Sequence, residues 1–153
     1  MNSKESEQKP KTTRIVVIDG MGGGIGEELI RRLVAALEGK PNAEIIALAT
    51  NAVATERMVR AGAHRGATGE NAICRSASLG DFILGPIGIV FANSMLGEIT
   101  PAIAEAVLAA PGKRVLIPLQ NDHVTLAGLS SQPLSKMFEK AVEIIEQALG
   151  DAD

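Results

Sequence analysis

The chain has 153 residues, a formal net charge of -3 at pH 7 and 46% hydrophobic residues, which predicts one domain with a substantial core. The acidic balance and the lack of Trp and Tyr argue against a nucleic-acid surface. The single cysteine, Cys74, cannot form an internal disulfide, and no apolar run is long enough to span a membrane. We therefore expect a cytoplasmic protein with neither a nucleic-acid nor a membrane partner.

The first residues are polar and charged and contain no apolar signal-peptide core. We expect a disordered polar leader over residues 1–12 and a single Rossmann-like domain over residues 13–150.

Strands and helices alternate in the first half of the chain. Residues 14–18 are apolar on both faces, as in a buried parallel strand, and apolar residues at three- and four-residue steps then predict a helix over about 24–38. A second strand over 44–49 leads to a helix capped by Asn51 that ends near residue 61. For residues 63–80 we favour a strand at about 64–67 and a helix opened by Thr68 and running to about 77; a long loop is the alternative.

The second half continues the alternation. A strand over 81–84 is broken by Gly85-Pro86, an apolar segment covers 87–96, and Thr100 caps a helix with Pro101 in its first turn. A strand over 113–118, a further strand over 123–129 and a helix over 133–149 follow. This order predicts a three-layer, doubly wound α/β domain of Rossmann-like type, with five or six mostly parallel strands and helices on both faces.

Five glycines stand in seven positions between the first strand and its helix. Glycines in this context let the backbone approach a phosphate, which the N-terminus of the helix favours. The sequence therefore predicts binding of a nucleotide or another phosphorylated small molecule, and packing without a ligand is the alternative. The loop glycines are Gly20, Gly22, Gly23, Gly24 and Gly26.

The spacing of Gly20, Gly24 and Gly26 matches short-chain dehydrogenases and not the common G-x-G-x-x-G fingerprint. The chain has no tyrosine for a Tyr-x-x-x-Lys pair, and Thr50-Asn51 stands where an acidic residue usually binds a ribose hydroxyl. No Arg lies within a few residues of Asn51. NAD(P) or another nucleotide remains possible. A nicotinamide-dependent oxidoreductase without the Tyr–Lys pair and a ligand-free regulatory or interaction subunit are alternative functions.

Polar side chains near the expected crevice supply further candidates. Asp19 and Glu70 are candidate catalytic acid/base residues, although Asp19 is equally well explained as an acceptor for turn N–H groups. Neither His64 nor His123 belongs to a metal-ligand pattern, and no metal site is expected. Further cofactor contacts are expected from Thr50, Asn51, Gly85 and Pro86, and substrate contacts from Arg65, Thr68, Asn71, Asn93 and Ser94.

Self-association is expected as well. The apolar segment 87–96 and the Ala-rich helix after Thr100 expose more apolar surface than a small monomer usually leaves bare. A homodimer is the commonest outcome.

Four blocks carry a family resemblance: IDGMGGGIG (18–26), LATNAVAT (48–55), GAHRGATGENAI (62–73) and GPIGIVFANSMLGEITP (85–101). Together they resemble a family of small uncharacterised bacterial proteins known only as a domain of unknown function. The resemblance extends over roughly residues 14–128 and implies a Rossmann-like domain with no established activity. It also implies that Met21 replaces a usual Gln, and that the leader and the final helix are additions or variable parts.

Overall fold

A computed structural model describes residues 9–119 and 124–151. The described residues form one parallel sheet of five strands in the order β3-β2-β1-β4-β5. The strands are β1 (Thr13–Asp19), β2 (Ala43–Ala49), β3 (Arg65–Thr68), β4 (Phe82–Pro86) and β5 (Lys113–Ile117), and the helices are α1 (Gly24–Ala36), α2 (Ala52–Arg60), α3 (Glu70–Ser76), α4 (Pro101–Ala109) and α5 (Leu134–Gly150).

The sheet separates two hydrophobic cores. Alternate residues of β1 point to opposite faces, so Ile15 and Val17 join one core while Val16 and Ile18 join the other. Helices α1, α2 and α5 cover the first face, and α3 and α4 cover the second. The prediction of a three-layer, Rossmann-like α/β fold is confirmed.

The chain order places a switch point at the centre of the sheet. From β1 the chain builds β2 and β3 on one side, then crosses to build β4 and β5 on the other. Connections from β1 and β4 therefore leave in opposite directions, and a crevice opens at the carboxyl ends of these strands. Ligands of doubly wound sheets bind in this position.

Helix starts agree with the sequence at two of the predicted caps. The Asn51 side chain accepts a hydrogen bond from the Ala54 N–H (2.9 Å), and the Thr100 hydroxyl accepts one from the Ile103 N–H (3.2 Å). Within residues 9–119 and 124–151, no helix combines the length and the apolar character needed to cross a membrane.

Three local predictions are corrected. Thr68 ends β3 and does not cap α3, which follows Gly69 (φ 105°) without a side-chain cap. Gly85 and Pro86 do not break β4 but complete it, because they pair with β5 beyond the part of β4 that pairs with β1. A Cβ at Gly85 would collide with the carbonyl oxygen of Ile18, so only glycine permits this close approach of the two central strands.

The strand predicted over 123–129 is the third correction. Residues 120–123 lie outside the described residues, and 124–129 contain only an isolated bridge at Val124 followed by a turn. Leu129 N–H donates to Leu126 O (3.3 Å), and Gly128 has a positive φ of 83°. A left-handed glycine in a turn explains why this apolar stretch does not continue as a strand. Of the predicted leader, residues 1–8 lie outside the described residues, and 9–12 have no regular secondary structure.

Candidate functional site

The glycine loop joins β1 to α1 at the central switch point. Gly23 N–H donates to Gly20 O (2.9 Å) and closes the turn, while Gly23 adopts a left-handed conformation (φ 73°) at the start of α1. Met21 is also left-handed (φ 50°), which is rare for a side chain of this type. The predicted strand–turn–helix arrangement is present in the structure.

The Asp19 carboxylate occupies the inner side of this loop. Its side chain is 4% exposed, Oδ1 accepts from Gly20 N–H and Oδ2 accepts from Gly26 N–H, both at 2.8 Å. Burial raises the pKa of Asp19 and the charge of Glu98 adds to this, whereas the backbone bonds from Gly26 and Gly20 oppose the increase. Both oxygens thus hold the turn, which is the structural role considered for Asp19 from the sequence. The Asp19 carboxylate therefore already occupies two N–H groups at the loop and the first turn of α1.

Three of the five loop glycines lie in crowded surroundings. A Cβ at Gly23 would lie 2.8 Å from Ala54 Cα, and one at Gly26 would lie 2.8 Å from Met58 Cε. Gly20 is equally crowded. The contacts of Gly23 and Gly26 let α2 approach the loop and α1 closely, and Gly20 packs against Thr50 and Met95, so the three glycines are explained without a ligand.

The other two glycines, Gly22 and Gly24, have open space around them. A Cβ at either position would meet only the guanidinium of Arg57, at 3.7 and 4.0 Å, and neither residue has a left-handed φ. Both residues are exposed, and no hydrogen-bond acceptor for their N–H groups is found among residues 9–119 and 124–151. Packing therefore does not account for glycine at these two positions.

Arg57 of α2 stands beside this open part of the loop. Its Nη1 donates to Gly22 O (2.8 Å), and its Nε forms an ion pair with Glu27. About half of the side chain is exposed. Arg57 lies six residues after Asn51, and the turns of α2 bring its side chain back to the loop.

Glu98 places a carboxylate on the β2 side of the crevice. Its Oε1 accepts from Thr50 Oγ1 (2.6 Å), Asn51 Nδ2 (2.8 Å) and Met21 N–H (3.1 Å). The hydrogen bonds from Thr50 and Asn51 lower the pKa of Glu98, with a smaller contribution from Met21. Glu98, from the segment after β4, thus places a carboxylate at the carboxyl end of β2.

Asn51 is fully engaged in this network. Its amide nitrogen donates to Met21 O (2.8 Å) as well as to Glu98, and its oxygen caps α2. Thr50 and Asn51 were predicted to contact a cofactor directly. In the structure they fix Glu98 and the glycine loop to the end of β2.

Residues of the β3–α3 segment do not join the loop. Arg65 is the first residue of β3 and pairs with Glu44 (2.7 Å) near the amino end of β2. This pair lies toward the amino ends of the strands, whereas the crevice lies at their carboxyl ends. The Thr68 hydroxyl lies 2.7 Å from that of Thr55, while Glu70 and Asn71 are exposed on the first turn of α3.

The segment after β4 folds over the carboxyl edge of the sheet. The Ser94 hydroxyl donates to Gly88 O (2.5 Å), and Asn93 N–H donates to Ile99 O (2.6 Å). Asn93, Met95 and Leu96 all have positive φ values between 55° and 68°. Asn93 and Ser94 therefore stabilise the loop that positions Glu98 at the end of β2.

An apolar cavity of about 490 Å³ lies on the β4 side of the glycine loop. The loop backbone from Asp19 to Ile25 forms one wall, and Pro86 at the end of β4 contributes another. Gly85 is buried between strands and does not line this cavity. The remaining lining residues are Glu28, Met95, Leu119, Leu134 and Phe138.

Sequence reasoning missed two residues of the site, Arg57 and Glu98. The helical periodicity of α2 carried a signal for Arg57, since it lies on the side of α2 that meets α1. Glu98 stands 47 residues from Asn51, and only the folded loop after β4 brings the two together. No group of three His, Cys, Asp or Glu side chains in the described parts of the chain is placed to hold a metal ion.

The chain is similar to two solved structures at low sequence identity. The chain is similar to a dodecameric FMN-dependent UbiX-like decarboxylase from Escherichia coli O157:H7, at 18% identity and a TM-score of 0.49, over 90% of this chain and 95% of that one. It is also similar to a universal stress protein in complex with cAMP, at 19% identity and a TM-score of 0.39, over 70% of this chain and 98% of that one. Both are distant likenesses. No curated protein matches the chain.

A protein-family model for a domain of unknown function matches residues 14–150. The match includes α5, so the final helix belongs to the family domain and is not an addition as expected from the sequence. The chain belongs to this family, the domain of unknown function DUF3842.

Proposed function

We propose that this protein binds a nucleotide or another phosphorylated small molecule, with a phosphate on the backbone N–H groups of Gly22 and Gly24. One observation carries the proposal. These two loop glycines are not explained by packing, and their N–H groups have no acceptor in the described part of the chain. Exposed N–H groups at the start of a helix bind anions.

Arg57 supports an anion at this position. A phosphate near the loop experiences repulsion from Asp19, Glu98 and Glu27. The Arg57 guanidinium offsets this repulsion, since only its Nε and Nη1 bond to described residues, which leaves Nη2 for a ligand. Arg is suited to such a contact because its planar group binds two phosphate oxygens at once.

Glu98 supports a hydroxyl-bearing ligand such as a nucleotide. All three of its hydrogen bonds reach Oε1, and no donor to Oε2 is found within residues 9–119 and 124–151. A carboxylate oxygen accepts readily from a sugar hydroxyl. In dinucleotide-binding domains an acidic residue near the end of the second strand binds the ribose in this way. We assign that role here to Glu98 and not to Asn51.

Paired substitutions at Gly24 test the phosphate contact. Gly24→Asp places a negative charge beside the proposed phosphate, whereas Gly24→Asn has nearly the same shape and no charge. Asp and Asn are both compatible with the first turn of a helix, so both variants should fold. We expect the Asp variant to bind AMP, FMN or NAD at least about tenfold more weakly than the Asn variant, by isothermal titration. Equal affinities of the two variants would contradict a phosphate at Gly24.

We also propose that the protein acts in the cytoplasm as a homodimer. Leu96 is 94% exposed at the tip of the loop after β4, and Leu108 of α4 is 54% exposed. Both leucines belong to the segments from which self-association was predicted, and exposed apolar side chains favour such contacts. Light scattering at micromolar concentration is expected to give twice the chain mass, and a monomer mass would contradict it.

A further inference from the structure

The apolar cavity beside the glycine loop leaves large apolar side chains exposed that neighbouring elements do not cover. It measures about 490 Å³, within the roughly 300–1,000 Å³ typical of small-molecule sites. Leu134 at its rim is 40% exposed and Met21 is 46% exposed, although both are large apolar side chains. Exposed apolar groups around a concave surface are typical of a ligand site.

The chemistry of the walls limits what fits inside. Ile25, Pro86, Met95, Leu134 and other apolar side chains provide most of the lining. The thioether of Met95 is suited to contact with an aromatic ring. Away from the loop backbone, a strongly charged group would lose its hydration in the cavity without gaining a partner.

The two charged side chains of the lining are already engaged. Asp19 accepts two backbone N–H bonds, and Glu28 accepts from Arg32 (2.9 Å) and Arg31 (2.5 Å). Backbone N–H groups hold the Asp19 carboxylate and two arginines hold that of Glu28, so neither carboxylate requires a cation from the ligand. The cavity therefore suits a largely uncharged group.

Gly22 and Gly24 line this same cavity. A single molecule therefore reaches the loop N–H groups with a phosphate and the cavity with another part of its structure. We infer that the ligand is a phosphate ester carrying a planar heteroaromatic ring, with the ring in the cavity beside Met95 and Leu134. This inference rests on the proposed phosphate site and names the class of ligand that site takes.

Matched probes separate the ring from the phosphate. AMP and FMN carry both groups, ribose 5-phosphate carries the phosphate alone, and adenosine and riboflavin carry the ring alone. We expect AMP or FMN to bind at least about tenfold more tightly than either kind of partial probe. Because the chain contains no Trp or Tyr, the fluorescence of the flavins is measured without interference from indole or phenol groups.

A rim substitution tests where the ring lies. Leu134→Gln removes apolar contact without adding charge, and Leu134 is the first residue of α5 and is outside both cores, so the fold should persist. We expect about fivefold weaker binding of AMP or FMN and no change for ribose 5-phosphate. Leu79→Gln, a leucine of similar exposure (44% against 40%) that does not line the cavity, is the control and should leave all affinities unchanged.

The outcomes distinguish the two proposals. If ribose 5-phosphate binds as tightly as AMP and FMN, and Leu134→Gln has no effect, the ring inference is wrong and the phosphate site stands. If adenosine and riboflavin bind as tightly as their phosphates, the phosphate contributes nothing to affinity, and both the phosphate site and the inferred phosphate ester are wrong. If no probe binds, both proposals are overturned.

Discussion

Replacing neighbouring glycines of the loop by alanine should give opposite effects. Gly23 has φ 73° and its Cβ would lie 2.8 Å from Ala54 Cα, whereas Gly24 has open space and begins α1. At Gly23 the left-handed conformation costs roughly 1 kcal/mol. Crowding against the α2 backbone costs roughly 1–3 kcal/mol more. The expected loss of unfolding free energy is therefore roughly 2–4 kcal/mol.

Gly24→Ala should range from no change to roughly 1 kcal/mol of added stability, because alanine favours helix and meets no neighbour. Urea unfolding followed by far-UV circular dichroism measures both variants, since the chain has no Trp or Tyr for fluorescence. A loss of 2–4 kcal/mol corresponds to a melting temperature lowered by roughly 4–16 °C. Equal stabilities of the two variants would refute the division of the loop into packed and open glycines.

Three further predictions follow from the site. Gly85→Ala should cost about 3 kcal/mol, because its Cβ collides with the Ile18 carbonyl; a melting temperature within a few degrees of wild type would count against the β1–β4 geometry. Asn51→Asp keeps the helix cap but places a second carboxylate against Glu98. The melting temperature of the variant should therefore lie below that of wild type at pH 7, and the difference should shrink near pH 4, where carboxylates become protonated. A difference independent of pH would contradict the contact between Asn51 and Glu98. Glu98→Gln tests the lowered pKa of Glu98. A carboxyl whose pKa is lowered in the folded state stabilises the fold above its unfolded pKa and loses this contribution as pH falls. The difference in unfolding free energy between wild type and Glu98→Gln should therefore narrow between pH 7 and pH 3. A difference that stays constant over this range would argue against the Thr50 and Asn51 bonds.

Local patterns were sufficient to predict the fold. Uniformly apolar strands, the Asn51 and Thr100 caps and the periodicity of α5 are properties of short segments, and they determine the order of elements. The errors arose where tertiary contacts override local preference. Gly85-Pro86 looks like a strand breaker, yet the close pairing of β4 with β1 and β5 requires glycine in the strand.

The candidate site was predicted only in part. The glycine loop was visible because its residues are consecutive, but the sequence cannot separate glycines that permit packing from those left open. Asp19 illustrates a second limit, since only coordinates reveal that both carboxylate oxygens are engaged. Glu98 depends on a loop with three left-handed non-glycine residues, a conformation that local sequence preferences do not predict.

Native mass spectrometry of the purified protein, followed by a thermal-shift panel, tests the central claim most directly. The panel contains NAD(H), NADP(H), ATP, GTP, FMN, S-adenosylmethionine and sugar phosphates. A co-purified nucleotide, or saturable stabilisation by one class of phosphorylated compound, is the predicted result. A mass accounted for by protein alone, with no bound compound, together with no stabilisation by any compound would contradict phosphate binding and favour a ligand-free regulatory or interaction subunit.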